Sequence, residues 1–163
     1  MPYLQFEQAV YESKNECQIS ETESCIILDN FQNQFLSRNW DAAMNLLQKH
    51  QVIAERANML NELPLHTALW INAPEEIVLS IITTSEDAVF RTNFKNQFPI
   101  HLAVKYLSSF RVIEALIRRY PYALEEKDDV NMTPRDYGRS HGEKVINLLD
   151  LPISYWATLE LKS

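Results

Sequence analysis

LPLHTA at Leu63 to Ala68 and FPIHLA at Phe98 to Ala103 decide how this chain is read, with TPRDYG at Thr133 to Gly138 as a third, weaker copy. The prolines at their second positions, Pro64, Pro99 and Pro134, stand 35 residues apart. Three residues before each proline is Asn61, Asn96 or Asn131, and six before is Asn58, Asn93 or Asp128. A match this wide marks an internal repeat, and a repeat unit fixes the architecture before any single element does.

Each position has a physical reason. Proline at the first helical position gives up no hydrogen bond and arrives with the φ a helix needs, so each proline predicts a helix start. The chain holds only two glycines, Gly138 and Gly142, so a turn needing positive φ must use another residue. Asn61, Asn96 and Asn131 fit that place, because a short polar side chain tolerates the left-handed region. Thirteen residues after the first two prolines come Ile77, Val78, Ile81 and Ile82, then Val112, Ile113, Leu116 and Ile117. That spacing is one face of a second helix. Val145, Ile146, Leu148 and Leu149 take this part in the third copy two residues early, which predicts a shorter connection there. Upstream, Ala43, Met44, Leu46 and Leu47 read as the outer helix of a capping pair, with Phe35 and Leu36 on its inner helix.

The tight turn, the T-P-L-H-x-A-like start and the V-V-x-x-L-L-like second helix resemble ankyrin repeats, over residues 26–150. The resemblance implies an all-α solenoid of about four helix pairs joined by tight turns, with 1–25 an acidic extension and 151–163 an apolar tail. The period exceeds the commonest ankyrin length of about 33 residues. The additions fall near Asn72 to Glu75 and Leu107 to Phe110, between the two helices of a unit. Leu63 and Phe98 stand where the family has a capping Thr, and only Thr133 keeps that hydroxyl. Arg135 and Asp136 replace the apolar residue and His of the earlier copies, as suits a terminal unit with one side toward water.

Bulk properties narrow the function. The 163 residues suffice for one domain, and 46% hydrophobic with 23% charged residues is a globular balance. A net charge of -7 opposes a phosphate backbone, so nucleic acid is not an expected partner. No run approaches the roughly 18 apolar residues of a membrane span, and the start lacks a signal-peptide pattern, so an intracellular, cytoplasmic protein is expected, with nuclear or complex-associated residence also open. Cys17 and Cys25 read as free thiols.

No cofactor, metal or small-molecule substrate is expected. His66 and His101 recur with the repeat, and adjacent units lie about 8–10 Å apart, too far for two ligands of one ion with bonds of about 2 Å. The resemblance gives this His a role in bracing the turn. His50 and His141 are isolated, and no metal-binding or phosphate-cradling spacing occurs. The acidic residues Glu125, Glu126, Asp128 and Asp129 read as a solvated turn.

The expected activity is therefore non-catalytic: a protein-binding scaffold, adaptor or accessory subunit of a larger assembly. A regulatory inhibitor that blocks an enzyme partner is the alternative, and a thiol enzyme centred on Cys17 or Cys25 a more distant one. The resemblance places ligands on a concave face made by turn tips and inner helices. Carried over, that face holds Met59, Leu60, Glu62, Trp70 and Ile71 from one unit, Phe94, Lys95, Gln97, Lys105 and Tyr106 from the next, and Asp129, Val130, Met132, Ser140 and His141 from the third. Trp70, Phe94 and Tyr106 are the expected anchors, since large aromatics dominate interface energies. A rival reading folds the ends across this face, for Tyr3, Leu4, Phe6 and Tyr11 at the start and Tyr155, Trp156 and Leu159 at the end are apolar enough to cover it.

Overall fold

The computed structural model describes residues 21–58 and 61–160. Among them the chain is all-α. Helices α1 (Glu21–Leu36) and α2 (Trp40–Lys49) form the first pair, α3 (Pro64–Trp70) and α4 (Glu75–Thr84) the second. The third pair is α5 (Pro99–Lys105) with α6 (Phe110–Arg119), and the fourth α7 (Pro134–Gly138) with α8 (Glu143–Leu149). Helix α9 (Ile153–Glu160) follows, and short 3-10 turns close the first three pairs at Gln51–Glu55, Glu86–Phe90 and Pro121–Leu124.

Contacts are local. Each helix packs against the partner of its own pair, and α1, α3, α5 and α7 pack in succession as an inner row. Helices α4, α6 and α8 form the outer row beside them. A five- to seven-residue helix cannot bury its apolar side alone, so the short inner helices are stable only as neighbours of one another. Ala68 and Ala103, both fully buried, keep the helices close. Gly138 occupies the same register 35 residues on, where an added Cβ would collide with Leu149 Cδ1. The shorter connection expected here is not found: residues 139–142 link α7 to α8 just as 71–74 and 106–109 link the pairs before, and it is α7 itself, five residues long against seven, that brings the outer helix forward.

The turns before α3, α5 and α7 repeat in detail. Asn61, Asn96 and Asn131 adopt φ of 54°, 53° and 64°. The side chains six before each proline close the loop from inside: Asn58 Oδ1 accepts from Glu62 N–H, Asn93 Oδ1 from Lys95 and Gln97 N–H, and Asp128 Oδ1 from Val130 and Met132 N–H. Neighbouring turns are tied together by Asn61 Nδ2, which donates to Thr92 O, and by Asn96 Nδ2, which donates to Asp129 Oδ1.

Without a hydroxyl at Leu63 and Phe98, the first two of these helices keep only the half of the capping box that satisfies the N-cap residue's own N–H. Leu63 N–H donates to His66 Nδ1 and Phe98 N–H to His101 Nδ1, each at 3.1 Å. The other ring nitrogen, Nε2, donates forward 25 residues, from His66 to Arg91 O and from His101 to Glu126 O. An acceptor on one side and a donor on the other require the neutral ring. Burial lowers the pKa of His66 to about 4 and that of His101 in the same direction, which keeps both rings in that form. In the last pair Thr133 Oγ1 accepts from Asp136 N–H while Asp136 Oδ2 accepts from Thr133 N–H, a reciprocal box.

The links between inner and outer helices hold a feature the composition alone did not suggest. Arg38, Asn72 and Leu107 also lie at positive φ, 57°, 53° and 59°. Each ends a helix in a Schellman turn, with Asn39 N–H donating to Gln34 O, Ala73 N–H to Ala68 O and Ser108 N–H to Ala103 O. The two-residue additions expected near Asn72 and Leu107 thus belong to these turns.

One expected boundary, between residues 25 and 26, falls inside a helix. Helix α1 runs unbroken through residues 25 and 26, because the apolar positions Leu28, Phe31 and Phe35 bury one helical face and carry the helix back to Glu21. The repeat unit therefore begins inside an element, and Leu36 at the end of α1 is exposed while Phe35 is buried. The C-terminal segment 153–160 is a helix lying against α6 and the Pro121–Leu124 turn, with Trp156 buried and the Arg118 guanidinium 6.0 Å from its ring centre. No described helix is long and apolar enough to cross a membrane.

Candidate protein-binding face

The expected face is assembled from two adjacent turns and the inner helices behind them. Glu62, Trp70, Phe94, Lys95, Gln97 and Tyr106 all line one pocket of about 250 Å³, together with Asn93 and Leu102. The repeat explains the grouping: Glu62 and Gln97 end successive turns, while Trp70 and Tyr106 end or follow successive inner helices. Trp70 and Phe94 are each 50% exposed, and Tyr106 is half-buried. Exposed aromatic area of this kind on one side of a fold is characteristic of an interface.

The lysines sit on the aromatics. Lys95 Nζ lies 5.1 Å from the centre of the Phe94 ring. Lys105 Nζ lies 5.8 Å from that of Tyr106 and 5.2 Å from that of Tyr137. Both geometries fit cation–π attraction and hold each ammonium beside the rings rather than out in solvent.

Gln97 differs from the expectation. It is only 3% exposed, and its Nε2 donates to Asp128 Oδ2 at 2.8 Å. Its amide is thus committed to a buried network between turns, and it forms the floor of the pocket rather than a group free to meet a ligand. Asp128 is the centre of that network, also accepting from Tyr137 O–H at 2.6 Å. Burial alone pushes the Asp128 carboxyl up, but the hydrogen bonds from Tyr137, Gln97 and two backbone N–H groups outweigh it and hold the group below its ordinary value. Burial and the same carboxylate push the Tyr137 phenol up to about 12.

Of the other expected residues that are described, Ile71, Lys105, Asp129, Val130, Met132, Ser140 and His141 do not line the pocket. Ile71 caps α3 and packs half-buried against the core. Val130 is 68% exposed at the third turn, and Met132 is half-buried beside it. Met59 and Leu60 lie outside the described residues. Asn93, Leu102, Asp128 and Tyr137 complete the site without having been assigned to it. Leu102 and Tyr137 are 35 residues apart on successive inner helices, so the repeat register was the signal that could have found them.

Helix α9 leaves this face uncovered, since it packs on the outer helix α6. Residues 1–20, the other candidate cover, lie outside the described residues. His66 and His101 spend both ring nitrogens on backbone groups, and among the described residues no cluster of three metal-ligating side chains occurs. Cys25 is exposed, and Cys17 lies outside the described residues. Comparison with family models and with curated proteins finds no match for this chain.

Proposed function

We propose that this chain is an ankyrin-type repeat stack of four helix pairs and that it works as a non-catalytic protein-binding module, a scaffold or accessory subunit of a larger assembly. The reading is supported most by the convergence of Trp70, Phe94 and Tyr106 on one pocket between adjacent turns. A frame whose turns are locked by Asn58, Asn93 and Asp128 holds those rings at fixed spacing, so binding would cost little ordering of the receptor. The aromatics supply apolar contact area, and Lys95 and Lys105 at its edge influence orientation and encounter rate.

Site-directed photocrosslinking tests this reading. A benzophenone amino acid is placed at Phe94 or Tyr106, and for comparison at Tyr122, which is exposed on the 3-10 turn after α6. The expected result is one discrete adduct in cells from Phe94 and Tyr106 and none from Tyr122. Equal labelling from all three positions would remove the concave face as the binding surface.

A further inference from the structure

The aromatic residues lining the pocket between the first and second of the repeated turns are of two kinds. Phe94 and Tyr106 already carry cations of the chain itself, Lys95 and Lys105. The Trp70 side chain has no ring, cation or hydrogen-bond partner among the described residues, although tryptophan offers the strongest cation-binding face of the aromatic side chains. The Glu62 carboxylate lines the same pocket, half-buried, and makes no ion pair or hydrogen bond among the described residues. Glu62 and Trp70 thus bring to one pocket a carboxylate and an indole face.

We propose that Trp70 and Glu62 together receive the guanidinium of an arginine from a basic segment of the partner, an assignment that rests on the concave face being the binding surface. A guanidinium suits both groups at once, since its planar fork pairs with a carboxylate while its face lies on an aromatic ring, and it is more weakly hydrated than an ammonium. The volume of about 250 Å³ suits one long side chain rather than an inserted helix. The net charge of -7 steers a basic segment toward the chain. Lys95 opposes the guest, because its ammonium lines the same pocket. That opposition fixes the sign of a substitution: removing Lys95 tightens a cationic guest and weakens an anionic one.

The test uses the full chain and a dye-labelled nonapeptide of alternating arginine and serine, followed by fluorescence anisotropy at low salt. The same peptide with citrulline for arginine, and with glutamate for arginine, serves as comparison. The arginine peptide is expected to bind more tightly than either. Glu62→Gln and Trp70→Ala should each weaken it about fivefold, the scale of a single exposed cation–π or ion-pair contact. Lys95→Ala should strengthen it about threefold, and Glu125→Gln, an exposed acidic site away from the pocket, should change it by less than twofold.

Losses from Glu62→Gln and Trp70→Ala no larger than that from Glu125→Gln would mean attraction to the overall charge alone and would overturn the proposal. So would equal binding of the citrulline peptide, or weakening by Lys95→Ala. Glu62→Gln removes charge without removing packing, so it decides the matter even if Trp70→Ala perturbs the fold. Should the arginine peptide fail while Phe94 and Tyr106 still crosslink a partner in cells, the guest is wrong and the binding face stands.

Discussion

The turns that start α3 and α5 share a backbone with the one that starts α7, but the three helices are closed by different chemistry. In the first two, a buried histidine caps its own helix through Nδ1 and reaches 25 residues forward through Nε2. In the last, Asp136 and Thr133 satisfy each other and reach no further unit. The histidines therefore join two successive units, whereas the Thr133 box serves only its own helix. A stack built this way has interior units whose stability depends on neighbours and an end unit that is capped locally.

The largest effect that would sharpen this contrast is expected from His66→Ala. It orphans the buried Leu63 N–H and Arg91 carbonyl and leaves a void, so it should cost about 4 kcal/mol in urea unfolding. A loss below about 1 kcal/mol would break the claim that this ring couples units. Next comes acid. The folded pKa of His66, about 4, lies below its unfolded value near 6.5, so the unfolded chain binds more protons between those limits. The contribution is whole above pH 6.5 and is lost as pH falls toward 4, roughly 3 kcal/mol for this residue. His101 adds in the same direction. The lowered pKa values of Asp128 and Asp136 act below about pH 5, so a decline between pH 6.5 and about 5 belongs to the histidines. Urea midpoints measured from pH 7 to 4.5 should fall steeply for the native chain and less for His66→Gln.

Thr133→Ala should be milder, about 1 kcal/mol, because it removes one local cap at the end of the stack. The smallest effect has the opposite sign. Leu107 holds a left-handed φ of 59° while 60% exposed, so its side chain contributes little packing to offset the strain. Leu107→Gly should raise stability by somewhat less than about 1 kcal/mol, after the added unfolded-state entropy of glycine is set against the relieved strain. Thermal melts compare it with Asn72→Gly, where asparagine already tolerates the conformation and the gain should be smaller.

Much of the frame was legible because it depends on local chemistry repeated at a fixed interval. Pro64, Pro99 and Pro134 each begin a helix, and the asparagines before them take positive φ. What stayed hidden depends on distant partners. No local rule says that the His66 ring would reach forward to the Arg91 carbonyl, or that leucine rather than glycine would occupy the Schellman position at Leu107. The candidate site divides in the same way. Trp70, Phe94 and Tyr106 converge as the repeat register implies, but Gln97 is drawn inward by Asp128, 31 residues away. The packing of Trp156 on α6 lies outside the periodic pattern, so no period could place it.

The functional claim at the centre of this account is most directly tested by affinity capture with the native chain and a Trp70→Ala, Phe94→Ala, Tyr106→Ala variant whose circular dichroism and melting temperature match the native protein. A partner recovered in fixed proportion with the native chain should disappear from the variant. Recovery of that partner at undiminished yield from the folded variant would contradict the claim.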